Sequence, residues 1–110
     1  MIIESKLGKF PGSITLPDAD DWTLSMFEAY QKVFDKLAKK DPSRSVQVVR
    51  AFAAGKWMLD GGFGTWEIEG LSLADFAGWG SDPDSANAQF IFWFARQFSE
   101  YFTRVIDPNG

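Results

Sequence analysis

The sequence predicts an α+β fold in which three main helices pack on a small, mainly antiparallel sheet of two or three strands. In the helical segments, apolar residues recur every three or four positions, as they do on one face of an α-helix. In shorter segments they alternate with polar residues, as in a half-buried strand. A chain of 110 residues with 45% hydrophobic content has room for one core. We therefore predict a single domain that spans residues 1–110.

The first two strands are predicted to form a hairpin. Ile2–Leu7 and Gly12–Leu16 are short extended segments, and the second alternates between polar and apolar residues. Glycine and proline in Gly8–Gly12 favour a chain reversal between them.

An amphipathic helix is expected from about Thr23 to Lys40. Either Thr23 or Ser25 can serve as its N-cap, and Asp41-Pro42 should stop it. Its apolar stripe consists of Met26, Phe27, Tyr30, Val33, Phe34 and Leu37. At its C-terminal end stand Lys36, Lys39 and Lys40, where positive charge complements the helix dipole.

A second helix should begin at Ser43 or Ser45 and end near Leu59, before the glycine-rich run Gly61–Gly64. Its apolar residues cover nearly half of its circumference, so we expect it to be the most buried helix. These residues are Val46, Val48, Val49, Phe52, Ala53, Trp57 and Leu59.

A third strand is predicted at Thr65–Leu71. Its alternation puts Trp66 and Ile68 on one face and Glu67 and Glu69 on the other. The two glutamates could form a catalytic carboxylate pair, but solvent-facing charge on an edge strand explains them better.

One short helical turn and a long final helix complete the predicted fold. Ser72 can cap a turn that reaches Phe76, and the last helix should span Ser85–Ile106 with Asp84 or Ser85 as its cap. The apolar stripe of this helix is Phe90, Ile91, Phe94, Phe98, Tyr101, Phe102 and Val105.

The aromatic content suggests an interaction surface. The chain has 11 Phe, 5 Trp and 2 Tyr, and each would bury about 150–250 Å² if enclosed. We therefore expect several to be half exposed or to lie in an interface; the alternative is an unusually aromatic core. The residues expected in the core are Phe34, Phe52, Trp66, Ile68, Phe94 and Phe98.

Three aromatic residues are the candidates for a partner-binding surface. Phe92 falls opposite the apolar stripe of the last helix, and Trp93 falls at its flank. Trp79 lies in the loop before this helix. A cluster of exposed aromatics usually marks a surface that meets another protein or a second copy of the chain.

Composition narrows the possible chemistry. The chain has no Cys and no His, so disulfides, the common zinc sites and histidine-based catalysis are excluded. A net charge of −4 argues against nucleic-acid binding.

Asp18, Asp20 and Asp21 resemble part of a calcium loop, but the other positions of that loop do not follow. Gly61–Gly64 is a very weak phosphate-loop signal, because it follows a helix. We expect no cofactor and no metal.

No targeting signal is recognised. The first residues lack a charged region followed by a long apolar one, and no window approaches 18 continuous apolar residues. These features predict a soluble, cytoplasmic protein without membrane contact.

The order of the motifs resembles that of a known protein family. The segment Pro11–Asp18 reads Pro-Gly-Ser-Ile-Thr-Leu-Pro-Asp and precedes an amphipathic helix, and Trp66–Leu71 reads Trp-Glu-Ile-Glu-Gly-Leu. A proline-containing loop, a helix with Phe90-Ile91-Phe92-Trp93-Phe94 and Tyr101, and Asp107-Pro108-Asn109 complete the pattern. Together they resemble the small tail assembly chaperones of siphovirus-type bacteriophages. The glycine-rich Gly61–Gly64 and the aromatic Trp79-Gly80 loop depart from that pattern.

The resemblance implies a non-enzymatic protein of the host cell cytoplasm. Members of the family bind the tape measure protein, keep it soluble, help to recruit tail tube protein and are absent from the mature virion. It also implies that this chain is the shorter of two products, the longer one arising by a ribosomal frameshift near the tail Asp107–Gly110. The main alternative is a structural or adaptor subunit of a head-tail or tail complex, with a permanent aromatic interface. An enzyme that uses only Asp and Glu is a third and weaker alternative.

Overall fold

The computed structural model describes residues 1–107 and has the predicted α+β architecture. The tail residues 108–110, on which the two-product prediction partly depends, lie outside the described part. The strands are β1 (Ile2–Ser5), β2 (Gly12–Thr15) and β3 (Thr65–Ile68), and the helices are α1 (Leu24–Lys40), α2 (Val46–Gly61), α3 (Leu73–Gly78) and α4 (Ala88–Ile106). Short 3-10 turns at Ala19–Asp21 and Pro83–Ser85 precede α1 and α4.

The three strands form one antiparallel sheet with β2 in the centre. Ile14 pairs with Ile3 of β1 on one side and with Trp66 of β3 on the other. The predicted hairpin and third strand are therefore confirmed, although all three strands are shorter than expected. Because β3 is an edge strand, the exposed Glu67 meets solvent there, as predicted.

Side-chain caps fix where the helices begin. Thr23 Oγ1 accepts a hydrogen bond from the Met26 N–H at 3.2 Å, so Thr23, and not Ser25, is the N-cap of α1. Ser45 caps α2 by accepting from the Val48 N–H at 3.3 Å. Ser72 caps α3 in the same way, as the sequence predicted.

The start of α4 differs from the prediction. Asp84 and Ser85 lie in the 3-10 turn that begins at Pro83, and the N-cap is Asn87, whose Oδ1 accepts from the Phe90 N–H at 3.0 Å. Proline favours the tight turn, and a second capping residue two positions later starts the helix proper. The apolar stripe is unaffected, because all of its residues follow Asn87.

One apolar cluster joins the sheet to the helices. The helix α2 contacts α1, α3 and α4 and has the longest run of buried residues, so the expectation for this helix is confirmed. Its first residue Val46 and its Leu59 are nevertheless exposed. The sheet joins the cluster through Ile3, Ile14 and Ile68.

The core is rich in aromatic residues, and several other aromatic side chains are half-buried at its margin, as expected. Four of the residues predicted for the core are buried: Phe52, Ile68, Phe94 and Phe98. Phe34 and Trp66 are half-buried and pack against the cluster. Most aromatic side chains are buried or half-buried, and edge-to-face and stacked ring pairs allow them to fit together in a small interior. Phe92 is the single exposed aromatic residue, and all aromatic positions lie within residues 1–107.

Candidate protein-binding surface

Phe92 lies on the solvent-facing side of α4. Asn87 sets the start of the helix, and Phe90 and Phe94 then point into the core, where each is 0% exposed. Phe92 is two positions from either residue, and at about 100° per residue it lies on the opposite side of the helix. Its side chain is 65% exposed, as the sequence predicted.

Phe92 stands at one side of an open groove of about 420 Å³ between α2 and α4, which we call the Phe92 groove. The first turn of α2 and the outer face of α4 line it with Ser45, Gln47, Val48, Phe92, Ala95, Arg96, Ser99 and Glu100. Val48 is the half-buried apolar residue that α2 contributes to this lining. The Oγ of Ser99 is buried and finds no hydrogen-bond partner among residues 1–107. The lining of the groove thus combines apolar and polar side chains.

Trp93 is adjacent to Phe92 in the chain but does not line the groove. It is half-buried at the flank of α4, where its ring centroid lies 5.4 Å from that of Phe90. The predicted flank position is confirmed. Only part of the indole is available to a partner, on a side of the helix different from that of Phe92.

The expectation that Trp79 is a surface residue is wrong. Its side chain is 7% exposed, and its ring packs edge-to-face against Phe76 at 5.4 Å and Phe90 at 6.0 Å. Trp79 is the C-cap of α3 and has right-handed helical backbone angles, so it extends the buried side of that short helix. The three-residue spacing from Phe76 to Trp79 was the signal that could have identified this position.

The structure also explains the other motifs in structural terms. Asp18 binds the N-terminal ammonium group at 3.2 Å. Within residues 1–107, no group of three or more acidic side chains is placed to hold a metal ion. Gly62 is the left-handed C-cap of α2, with a φ of 66°. Gly64 also has a positive φ, of 71°, and a Cβ there would lie against the Thr15 carbonyl oxygen.

The pKa of each tyrosine is raised above its ordinary value. Burial raises the pKa of Tyr30, against a smaller lowering by the positive charge of Arg50. Burial also raises the pKa of Tyr101, against a lowering by its hydrogen bond with Trp22. Both phenols belong to the core, so these shifts indicate enclosure of the hydroxyl groups, which matters for stability at high pH.

Sequence reasoning missed the α2 side of the groove, because Val48 was expected only as part of a buried face.

None of the helices within residues 1–107 combines the length and the apolar character needed to cross a bilayer. No protein-family model, curated protein or solved structure matches the chain. The chemistry of its surface is therefore the main ground for a functional proposal.

Proposed function

We propose that this protein is a non-enzymatic tail assembly chaperone of a siphovirus-type bacteriophage, which binds the tape measure protein and assists tail tube assembly. The observation that carries the proposal is Phe92, a large apolar side chain that is 65% exposed beside an open groove. An exposed aromatic ring at the side of a groove can anchor a protein partner. The order of the sequence motifs supports the choice of family.

The groove suits a helical client. It runs between two helices, and an amphipathic helix can lay its apolar face against Phe92 and Val48. Arg96 and Glu100 also line the groove and are exposed, so they can contact the polar face of the client. The net charge of −4 helps to keep the loaded complex soluble. In this proposal the protein acts in the host cytoplasm, also meets tail tube protein, and is absent from the mature virion.

The direct test is co-expression with the tape measure protein of the same phage. We expect wild-type protein to keep the client in the soluble fraction and to co-purify with it. Phe92→Asp should reduce both, because a carboxylate in the apolar contact must be desolvated. Leu24→Asp is the matched control: Leu24 is 72% exposed at the start of α1 and does not line the groove. Equal loss with both variants, or none with Phe92→Asp, would contradict the proposed site.

The same exposed ring would also suit a structural or adaptor subunit, in which Phe92 forms a permanent interface between copies of the chain. Two measurements separate the candidates. A structural subunit would be found in purified virions and would self-associate through Phe92 in sedimentation experiments. A chaperone would be found in infected-cell lysate and not in virions.

A further inference from the structure

A second groove, of about 520 Å³, lies on another face of the molecule, between α1, α2 and α3. Its apolar lining comes from all three helices: Val33 and Leu37 of α1, Leu59 of α2 and Ala77 of α3. Leu59 is 42% exposed there. None of these residues belongs to the Phe92 groove, so the two surfaces can be tested separately.

A row of lysines follows one edge of this groove, which we call the lysine groove. Lys32, Lys36 and Lys40 all line it from α1 at four-residue spacing. Successive members therefore lie about 6 Å apart along the helix axis, on neighbouring turns. Within residues 1–107, no salt bridge engages any of the three.

The opposite edge is close to neutral. Lys56 lines the groove from α2 and pairs at 3.2 Å with Asp60, which is also part of the lining. Both side chains are about half exposed, so the ion pair between them is weak. The lysine groove therefore has a net positive charge on a chain whose total charge is −4.

This arrangement matches one kind of partner. Three cations on successive helical turns are complementary to carboxylates repeated once per turn, which is the pattern of Asp or Glu at four-residue spacing on another helix. The apolar lining beside them can accept the apolar stripe of the same helix. A small anionic amphiphile, with a single charged head, would use one or two of the lysines and leave the row largely unmatched. We propose that the lysine groove binds an acidic amphipathic α-helix of another protein.

The test uses a synthetic helical peptide of about 20 residues, a length at which a helix can persist in water. It carries Glu at every fourth position beside a leucine stripe, and its twin has Gln in place of Glu. Fluorescence anisotropy should show binding of the Glu peptide that weakens as salt is added, and the Gln peptide should bind about tenfold more weakly. No binding of the Glu peptide, or equal binding of the two peptides, would overturn the proposal.

Variants then locate the contact. Lys36→Glu should weaken binding of the Glu peptide about tenfold, and Leu59→Asp by a similar factor, because the site needs both charge and apolar contact. Lys36→Gln provides a milder version of the same change if the charge reversal disturbs folding. Lys6→Glu is the matched control, since it makes the same charge change on an exposed residue after β1 that does not line the groove. An equal effect of Lys6→Glu and Lys36→Glu would reduce the interaction to net charge and overturn the proposal.

Two other occupants give different outcomes. If dodecanoate binds in a Lys36-dependent manner and the Glu peptide does not, the site takes small amphiphiles and the proposal fails. If the protein dimerises and Lys36→Glu dissociates it, while the Glu peptide does not compete, the occupant is a second copy and the proposal also fails. The proposal does not depend on the chaperone function, because every test uses the purified chain and leaves Phe92 unchanged.

Discussion

The backbone of Gly55 lies against the ring of Phe76, so closely that a Cβ on Gly55 would be 2.6 Å from both Cδ2 and Cε2 of that ring. Gly55 is in the middle of α2, where glycine costs a helix about 1 kcal/mol relative to alanine. The absence of a side chain lets the short helix α3 approach α2. Phe76 in turn joins the aromatic core, with Trp66 at 5.0 Å and Phe94 at 5.3 Å between ring centroids.

Gly55→Ala should therefore destabilise the protein in spite of the better helix propensity of alanine. The Phe76 ring is 0% exposed and enclosed by other rings, so it has little room to move away from a new methyl group. Overpacking of this kind costs about 1–3 kcal/mol of unfolding free energy, measured by denaturant titration. Gly78→Ala, where a Cβ meets nothing within 4 Å, is the control and should be nearly neutral. If Gly55→Ala unfolds at the wild-type midpoint, the α2–α3 packing is looser than described.

Phenylalanines on the two sides of α4 should respond very differently to truncation. Phe94 and Phe98 are each 0% exposed, and replacing either by Ala should cost about 3–5 kcal/mol through lost contacts and a cavity. Phe92→Ala, a change of the same residue type in the same helix, should alter stability by about 0.5 kcal/mol or less. Thermal melts of the three variants check this expectation. A large loss with Phe92→Ala would mean that another part of the fold covers the ring.

The sequence predicted those parts of the fold that depend on local pattern. The alternation around Ile14 and Trp66 identified paired strands, and the three- and four-residue steps of α4 put Phe94 inside and Phe92 outside. Both patterns reflect a fixed repeat of the backbone, so they can be read without knowing what lies opposite.

What the sequence did not predict depends on contacts between distant segments. The glycine at position 55, in the middle of α2, is explained only by its contact with Phe76. That residue lies in α3, beyond the intervening strand β3. Likewise, the Phe92 groove needs Val48 of α2, and the lysine groove needs Leu59 facing the lysine row of α1. The predicted start of α4 was wrong for a local reason. Asp84, Ser85 and Asn87 are all good capping residues, and the 3-10 turn at Pro83 includes the first two, so Asn87 becomes the cap.

The two tyrosines should show opposite responses to loss of the hydroxyl group. Tyr101 Oη accepts a hydrogen bond from Trp22 Nε1 at 2.6 Å and donates one to the Pro17 carbonyl, which ties the segment before α1 to α4. Tyr101→Phe leaves both partners unpaired and should cost about 1–3 kcal/mol. The Tyr30 hydroxyl is buried with no partner among residues 1–107, so Tyr30→Phe should be neutral or stabilising.

Denaturant titration of the two variants near neutral pH makes this comparison. Both replacements remove one oxygen atom from a side chain that is 1% exposed, so the difference between them isolates the hydrogen bonds. Equal losses would show that the Tyr30 hydroxyl is bonded in solution.

Stability should fall at alkaline pH, and Tyr30 should account for part of the fall. Burial raises the pKa of Tyr30 in the folded state, whereas in the unfolded chain the phenol titrates near its ordinary value of about 10. Above that pH the unfolded state binds fewer protons than the folded state, so the free energy of unfolding decreases as pH rises, by at most about 1.4 kcal/mol per pH unit for each such group.

Tyr30→Phe removes this contribution and provides the decisive comparison. The variant should match or slightly exceed wild-type stability at neutral pH, and its advantage should widen steadily as pH rises above the ordinary tyrosine value. Every other side chain is common to the two proteins, so its contribution cancels in the difference. In a pH jump, the tyrosinate absorbance of the wild type should rise at the rate of unfolding, because both tyrosines of the chain are buried. A constant difference in stability across that pH range would show that the Tyr30 hydroxyl reaches solvent in the folded protein. An immediate rise in absorbance while the helical signal persists would show that at least one of the two tyrosines does.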